Sequence, residues 1–265
     1  LHWGEADWGT LYICATSGLY SLRTKTKAKN EAFMAPRAAS PQASAPPPAP
    51  AVGKPDLLLK DRIARIEPSK TALILQDLQN DVIIDGGAFA SSGSPDHARQ
   101  QNVVANAQQL ANLARSRGVM VIHVWMVLEP GAPYLAQHAA LMQGLRSENA
   151  LVRDTWGVAP VEGLAPQEGD LIVEKMSMSA WETSRLESYL RHGGRDTIIN
   201  CGAWTNMSVE HTARTGADKG FHMIVPEDAC STMNADWHRA SINYAMQNVA
   251  TVSSTAGVLA ALGVT

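Results

Sequence analysis

Residues 119–127 read Val-Met-Val-Ile-His-Val-Trp-Met-Val, with Gly118 before them and Leu128-Glu129-Pro130 after. This run of β-branched and apolar residues is nearly unbroken. A strand with one wet face would alternate apolar with polar, so the pattern predicts a strand covered on both faces. Outward from it, Ala98–Arg117 carries helical periodicity and stops at Gly118. Before that helix, Thr71–Gln76 (TALILQ) is another short apolar run. After it come Asp170–Glu174 (DLIVE), Thr197–Cys201 (TIINC), Phe221–Val225 (FHMIV) and Val249–Ser253. Helical patterns at Glu182–Arg191, Thr205–Lys219 and Asn234–Asn248 lie between these runs, and a small helix closes the chain. Strands alternating with helices predict an α/β fold of three layers, α/β/α, around a six-stranded parallel, doubly wound (Rossmann-like) sheet. The strands are expected at 71–76, 119–126, 170–173, 197–201, 222–225 and 249–253.

The remaining sequence suggests three zones. Residues 1–27 hold β-like runs at Thr10–Ala15 and Leu19–Arg23 around Gly18, a hairpin pattern. Residues 28–56 read as a linker, because 35–55 contain seven of the fourteen prolines among Ala and Ser. Residues 57–265 have the composition of one globular domain. The chain starts with Leu rather than Met, which suggests a fragment or a fusion. A net charge of −3 gives no electrostatic footprint for nucleic acid or an anionic membrane. No apolar run approaches the ~18 residues of a membrane span. Cys14, Cys201 and Cys230 are widely spaced and form no disulfide framework or zinc pattern, so a reducing, cytoplasmic setting is expected.

Open parallel sheets bind ligands beyond the carboxyl ends of their strands. Asp77 follows the first strand and Lys175 the third. Cys201-Gly202-Ala203-Trp204-Thr205-Asn206-Met207-Ser208 follows the fourth and leads into a helix. A carboxylate, an amine and a hydroxyl can thus converge on one pocket. The carboxylate can carry a proton from nucleophile to leaving group, and the amine favours its ionised form. Ser208 falls in the first turn of a helix capped by Thr205, where backbone N–H groups have no intrahelical partner. Trp125, Trp181 and Trp204 lie near strand ends and are candidates to line the pocket. His123 reads as a satisfied core residue. His238, in Asp236-Trp237-His238, reads as a structural hydrogen-bonding group.

Four blocks carry a family resemblance. Asp77-Leu78-Gln79-Asn80-Asp81 resembles the D-x-Q-N-D/E motif of the isochorismatase-like cysteine hydrolases. Lys175, Ser179-Ala180-Trp181 and Thr183 resemble their K-x-x-x-S-A-F block. Gly202-Ala203-Trp204-Thr205-Asn206, Val209-Glu210 and Thr212-Ala213-Arg214 resemble G-x-x-T-N-x-C-V-E-x-T-A-R, and Glu227-Asp228-Ala229 resembles E-D-A. The resemblance implies an Asp–Lys–Cys triad at Asp77, Lys175 and position 208. It also implies a cis peptide at Ala203–Trp204, an oxyanion hole built from that loop, and a homo-oligomer. Metal-binding members carry an acid and two histidines, with a D-x-H cluster after the second strand. The loop from Leu128 lacks that cluster, so neither a metal nor another cofactor is expected. The partner implied is a small-molecule substrate, in the first place an amide, carbamoyl or ureido compound, with isochorismatase-type vinyl-ether hydrolysis as the alternative.

One position departs from the family pattern. Ser208 stands where the family has its nucleophilic cysteine. A thiol of pKa about 8.5 is partly ionised at neutral pH, and a serine hydroxyl is not. The sequence leaves three readings open: a serine nucleophile, a water activated by Asp77, or a chain without turnover. Residues 1–23 also resemble the closing segment of gluconolactonase-type β-propellers, through His2-Trp3-Gly4, Asp7-Trp8, Leu11-Tyr12 and Leu19-Tyr20-Ser21-Leu22-Arg23. On that reading residues 1–27 are a fused remnant.

Overall fold

The structure, a computed structural model, describes residues 63 and 65–263, together with backbone strands at 2–4, 10–15 and 18–23. The chain divides into two units, Leu1–Gly53 and Lys54–Thr265. In the first, β1 (His2–Gly4), β2 (Thr10–Ala15) and β3 (Gly18–Arg23) form an antiparallel sheet in that order. β2 pairs with β3 from Thr10 opposite Arg23 to Ala15 opposite Gly18. The linker reading of 28–56, and the domain start at 57, lie outside the described residues.

In the second unit the apolar runs become parallel strands. These are β4 (Thr71–Gln76), β5 (Met120–Met126), β6 (Leu171–Lys175), β7 (Thr197–Ala203), β8 (His222–Pro226), β9 (Cys230–Ser231) and β10 (Thr251–Ser253). Their order is β10-β8-β7-β4-β5-β6, with the two-residue β9 beside β7. The order explains the apolar runs. β4 is central, and all six of its residues are buried. Each Leu or Ile so covered contributes roughly 1.5–3 kcal/mol.

The chain runs outward from β4 through β5 and β6, then returns to β7 on the other side. The crossing direction therefore reverses between β4 and β7. The crevice at such a reversal is where doubly wound sheets bind ligands. Asp77 and the segment Gly202–Ser208 leave the sheet at that crevice.

Among the described residues eight α-helices flank the sheet: α1 (Asn80–Ile83), α2 (Ser94–Gln100), α3 (Val103–Ser116), α4 (Ala140–Ser147), α5 (Leu186–His192), α6 (Glu210–Asp218), α7 (Ala235–Ala240) and α8 (Thr255–Gly263). α3 buries Val103, Ala107, Leu110, Ala111 and Ala114, the stripe expected of a one-faced helix. Four helical expectations need correction. The helix expected at Ala98–Arg117 breaks at Gln101-Asn102, where Asn102 turns left-handed (φ 56°), a conformation its short polar side chain tolerates. The helix expected from Glu182 starts at Leu186, because Thr183 also has positive φ (56°). The Asn234 helix passes from α7 into a wider turn at Ser241–Ala245. The helix after β7 opens with such a turn at Thr205–Val209, and its cap position is Trp204 rather than Thr205. Among the described residues no helix is long and apolar enough to cross a membrane.

Candidate active site

Asp77 ends β4 with a left-handed backbone (φ 52°), a state aspartate accepts more readily than most residues. Its N–H still donates to Val124 O at 2.8 Å, so the turn begins without loss of the ladder to β5. Its carboxylate Oδ1 accepts from Met126 N–H (3.1 Å), and Oδ2 accepts from Lys175 Nζ (2.8 Å). Lys175 comes from the end of β6 with its side chain wholly enclosed. Its ammonium also donates to Ser177 O at 2.9 Å. Ser208 lies in the turn after β7, its carbonyl accepting from Gln76 Nε2 at 3.1 Å. Asp77 and Ser208 line one cavity.

The three residues are thus brought together. Burial pushes the Asp77 carboxyl above the usual carboxylate range. The Lys175 charge and hydrogen bond, with smaller help from Ser208 and Met126 N–H, pull it only part of the way back. Asp77 is therefore a stronger base than a solvated aspartate, while Lys175 still favours its ionised form. The Ser208 hydroxyl lies within hydrogen-bonding reach of the same carboxylate.

The rest of the Asp77 block has structural work. Gln79 donates to Met126 O (3.0 Å) and Val158 O (2.8 Å), and accepts from Met126 N–H. Asn80 donates to Trp156 O at 2.8 Å. Asp81 accepts from Ala88 N–H (3.0 Å) and Leu151 N–H (2.7 Å). These buried groups tie the long β5–β6 crossover down over the cavity. On the opposite wall, β7 passes very close to β4. A Cβ at Gly202, where φ is +130°, would lie 2.0 Å from Gln76 O, so only glycine fits.

Beyond Gly202 the Ala203–Trp204 peptide is cis, as the resemblance implied. Trp204 packs edge-on against Phe89 and donates to Ser94 Oγ at 2.7 Å. Thr205 Oγ1 is bonded to His238 Nδ1 at 2.9 Å, so His238 has the structural role expected of it.

Of the three tryptophans, only Trp204 lines the cavity. Trp125 does not, for a reason of strand geometry. Its neighbour Met126 faces the cavity, and successive strand residues point to opposite faces. Trp181 is turned away as well, stacked on Phe221 at 5.1 Å and donating from Nε1 to Thr212 O. His123 is held by Asp170 (3.0 Å), which also takes a bidentate bond from Arg115. Among the described residues no cluster of three or more His, Cys, Asp or Glu is placed to hold a metal. The sequence reading missed the apolar wall. Leu141 and Leu145, one turn apart on α4, line the cavity together with Val82, Phe89, Leu151 and Met178. Their i, i+4 spacing was the available signal.

A sequence profile of the isochorismatase domain matches residues 71–257. The chain belongs to the isochorismatase family. It is a hydrolase family, and the parallel sheet and flanking helices agree with its solved members. The isochorismatase family protein YecD of Escherichia coli O157:H7 is 33% identical over 195 residues, covering 72% of this chain and 96% of that one. The ureidoacrylate amidohydrolase RutB of Stutzerimonas stutzeri is 34% identical over 201 residues, covering 69% and 78%. Among solved structures, a cysteine hydrolase from Pseudomonas syringae pv. phaseolicola superposes with a TM-score of 0.66 at 28% identity, covering 74% and 94%. The family match begins at residue 71, clear of residues 1–23. Those residues form three antiparallel strands, not a propeller, so the gluconolactonase likeness gains no support.

Proposed function

We propose that this isochorismatase-family hydrolase cleaves a C–N bond in a small amide, carbamoyl or ureido substrate, with Ser208 as nucleophile, Asp77 as proton carrier and Lys175 as the charge that keeps Asp77 ionised. The observation that carries the proposal is that Asp77 and Ser208 face one cavity while Lys175 occupies the other side of the carboxylate. The curated relative RutB, an amidohydrolase by name, supports the C–N assignment.

In the reaction, Ser208 Oγ attacks the carbonyl carbon as Asp77 takes its proton. The carbonyl electrons move to oxygen. That oxyanion is met by backbone N–H groups of the Ala203–Trp204 loop and of Ser208, a stabilisation worth ~3 kcal/mol per donor in related chemistry. Collapse expels the amine, which takes the proton from Asp77. Water, deprotonated by Asp77, then releases the acid and restores Ser208. The raised Asp77 carboxyl matters because serine demands a better base than a thiol does.

The test is ammonia release from a panel of small amides and ureides by the full chain and three variants. Ser208→Ala and Asp77→Asn should each lower kcat by about a thousandfold or more. If Ser208→Ala retains full activity while Asp77→Asn does not, water is the nucleophile. If only Ser208→Cys is active, the chain as it stands lacks turnover.

A further inference from the structure

Resting on that reading of the site, we infer that the cavity selects neutral substrates with an apolar substituent and rejects those bearing a carboxylate. Apart from Asp77 and Ser208, every side chain that lines it is apolar. Trp204 is the only one of these with a polar atom, and its Nε1–H is committed to Ser94 Oγ at 2.7 Å. The cation nearest the reacting groups is also committed. Lys175 is enclosed, does not line the cavity, and spends its ammonium on Asp77 and Ser177 O. Across Met178, in a neighbouring groove, Arg214 is paired with Glu210 at 2.9 Å. Among the described residues, then, no unpaired cation faces the cavity.

The wall is also held in place. Leu151 N–H is fixed by Asp81 at 2.7 Å, and Leu145 is buried at the base of α4. A substrate carboxylate would lose its water against this wall with nothing to replace it, and would face the Asp77 anion. An isopropyl group of the same shape would gain from burial.

Two matched pairs test this, each exchanging a carboxylate for an isopropyl group. They are 4-methylpentanamide against succinamate, and isobutylurea against N-carbamoylglycine. Binding to the full chain is read by calorimetry at neutral pH, and turnover by ammonia release. The neutral member of each pair should bind, and where turned over react, at least about a hundredfold better. Equal or tighter binding of the carboxylates would overturn the inference. So would no binding of the neutral members at roughly 10 mM. If binding follows the expected order but nothing is hydrolysed, the proposed chemistry fails while the selectivity stands. Leu141→Lys, at a partly buried position on α4, should narrow the preference by about tenfold or more by supplying the missing cation. An unchanged preference in a folded Leu141→Lys protein would count against α4 as the selecting wall.

Discussion

Replacing Lys175 with methionine isolates the buried ion pair. Methionine keeps most of the lysine stem, so the packing change costs less than about 1.5 kcal/mol. The losses are an ammonium 2.8 Å from Asp77, between side chains 0% and 6% exposed, and the donor to Ser177 O. Leaving one member of such a pair uncompensated costs about 3–5 kcal/mol. At roughly 2–4 °C per kcal/mol for a domain of this size, Tm should fall by about 6–20 °C.

The loss should depend on pH. Burial already raises the Asp77 carboxyl, and Lys175 is the main pull in the other direction, so the variant's carboxyl rises further. A carboxyl raised by folding binds its proton more tightly in the folded state. The stability it confers is complete below its unfolded value of about 3.9 and is lost as pH rises through the folded value. Lys175→Met should therefore lie nearest the wild type in acid and fall away toward alkaline pH. Urea unfolding followed by tryptophan fluorescence at about pH 5 and about pH 8 measures this. An equal loss at both pH values, or none, would refute the coupling of Asp77 to Lys175.

Three further outcomes follow from the same geometry. The acid limb of kcat/KM should lie above the ordinary aspartate value of about 3.9, because protonating the raised Asp77 carboxyl removes the base; a limb at the ordinary value would contradict that role. Gly202→Ala, whose Cβ would meet Gln76 O at 2.0 Å, should cost about 3 kcal/mol or more in denaturant unfolding, whereas Gly118→Ala, with nothing within 4 Å, should cost about 1 kcal/mol from positive φ alone. Burial pushes the Cys201 thiol well up and that of Cys230 up to about 12, so peptide mapping after alkylation should find neither modified until the protein is unfolded.

The strands were legible because burial on both faces leaves apolar runs that polar loops interrupt. Each of the six expected runs overlaps a parallel strand. β9 was not legible, since two residues after a turn have no period of their own. The approach of Asp77, Lys175 and Ser208 followed from asking which polar residues leave strand ends. Trp204 lines the cavity as expected, but Trp125 misled because proximity to a strand end ignores alternation, which points it to the face opposite Met126. The roles of Gln79, Asn80 and Asp81 were hidden for another reason. Their partners lie in the crossover dozens of residues away, and no local spacing shows such pairs. The break at Asn102 was hidden as well, because the helical period runs on through it while the backbone turns left-handed there.

The central claim is that Ser208 forms a covalent intermediate with Asp77 as its base. Rapid-quench mass spectrometry with the 4-nitroanilide of 4-methylpentanoic acid addresses it most directly. An acyl adduct is expected on the peptide containing Ser208, absent from Ser208→Ala and from Asp77→Asn. Turnover that proceeds without an adduct, and undiminished in Ser208→Ala, would contradict it.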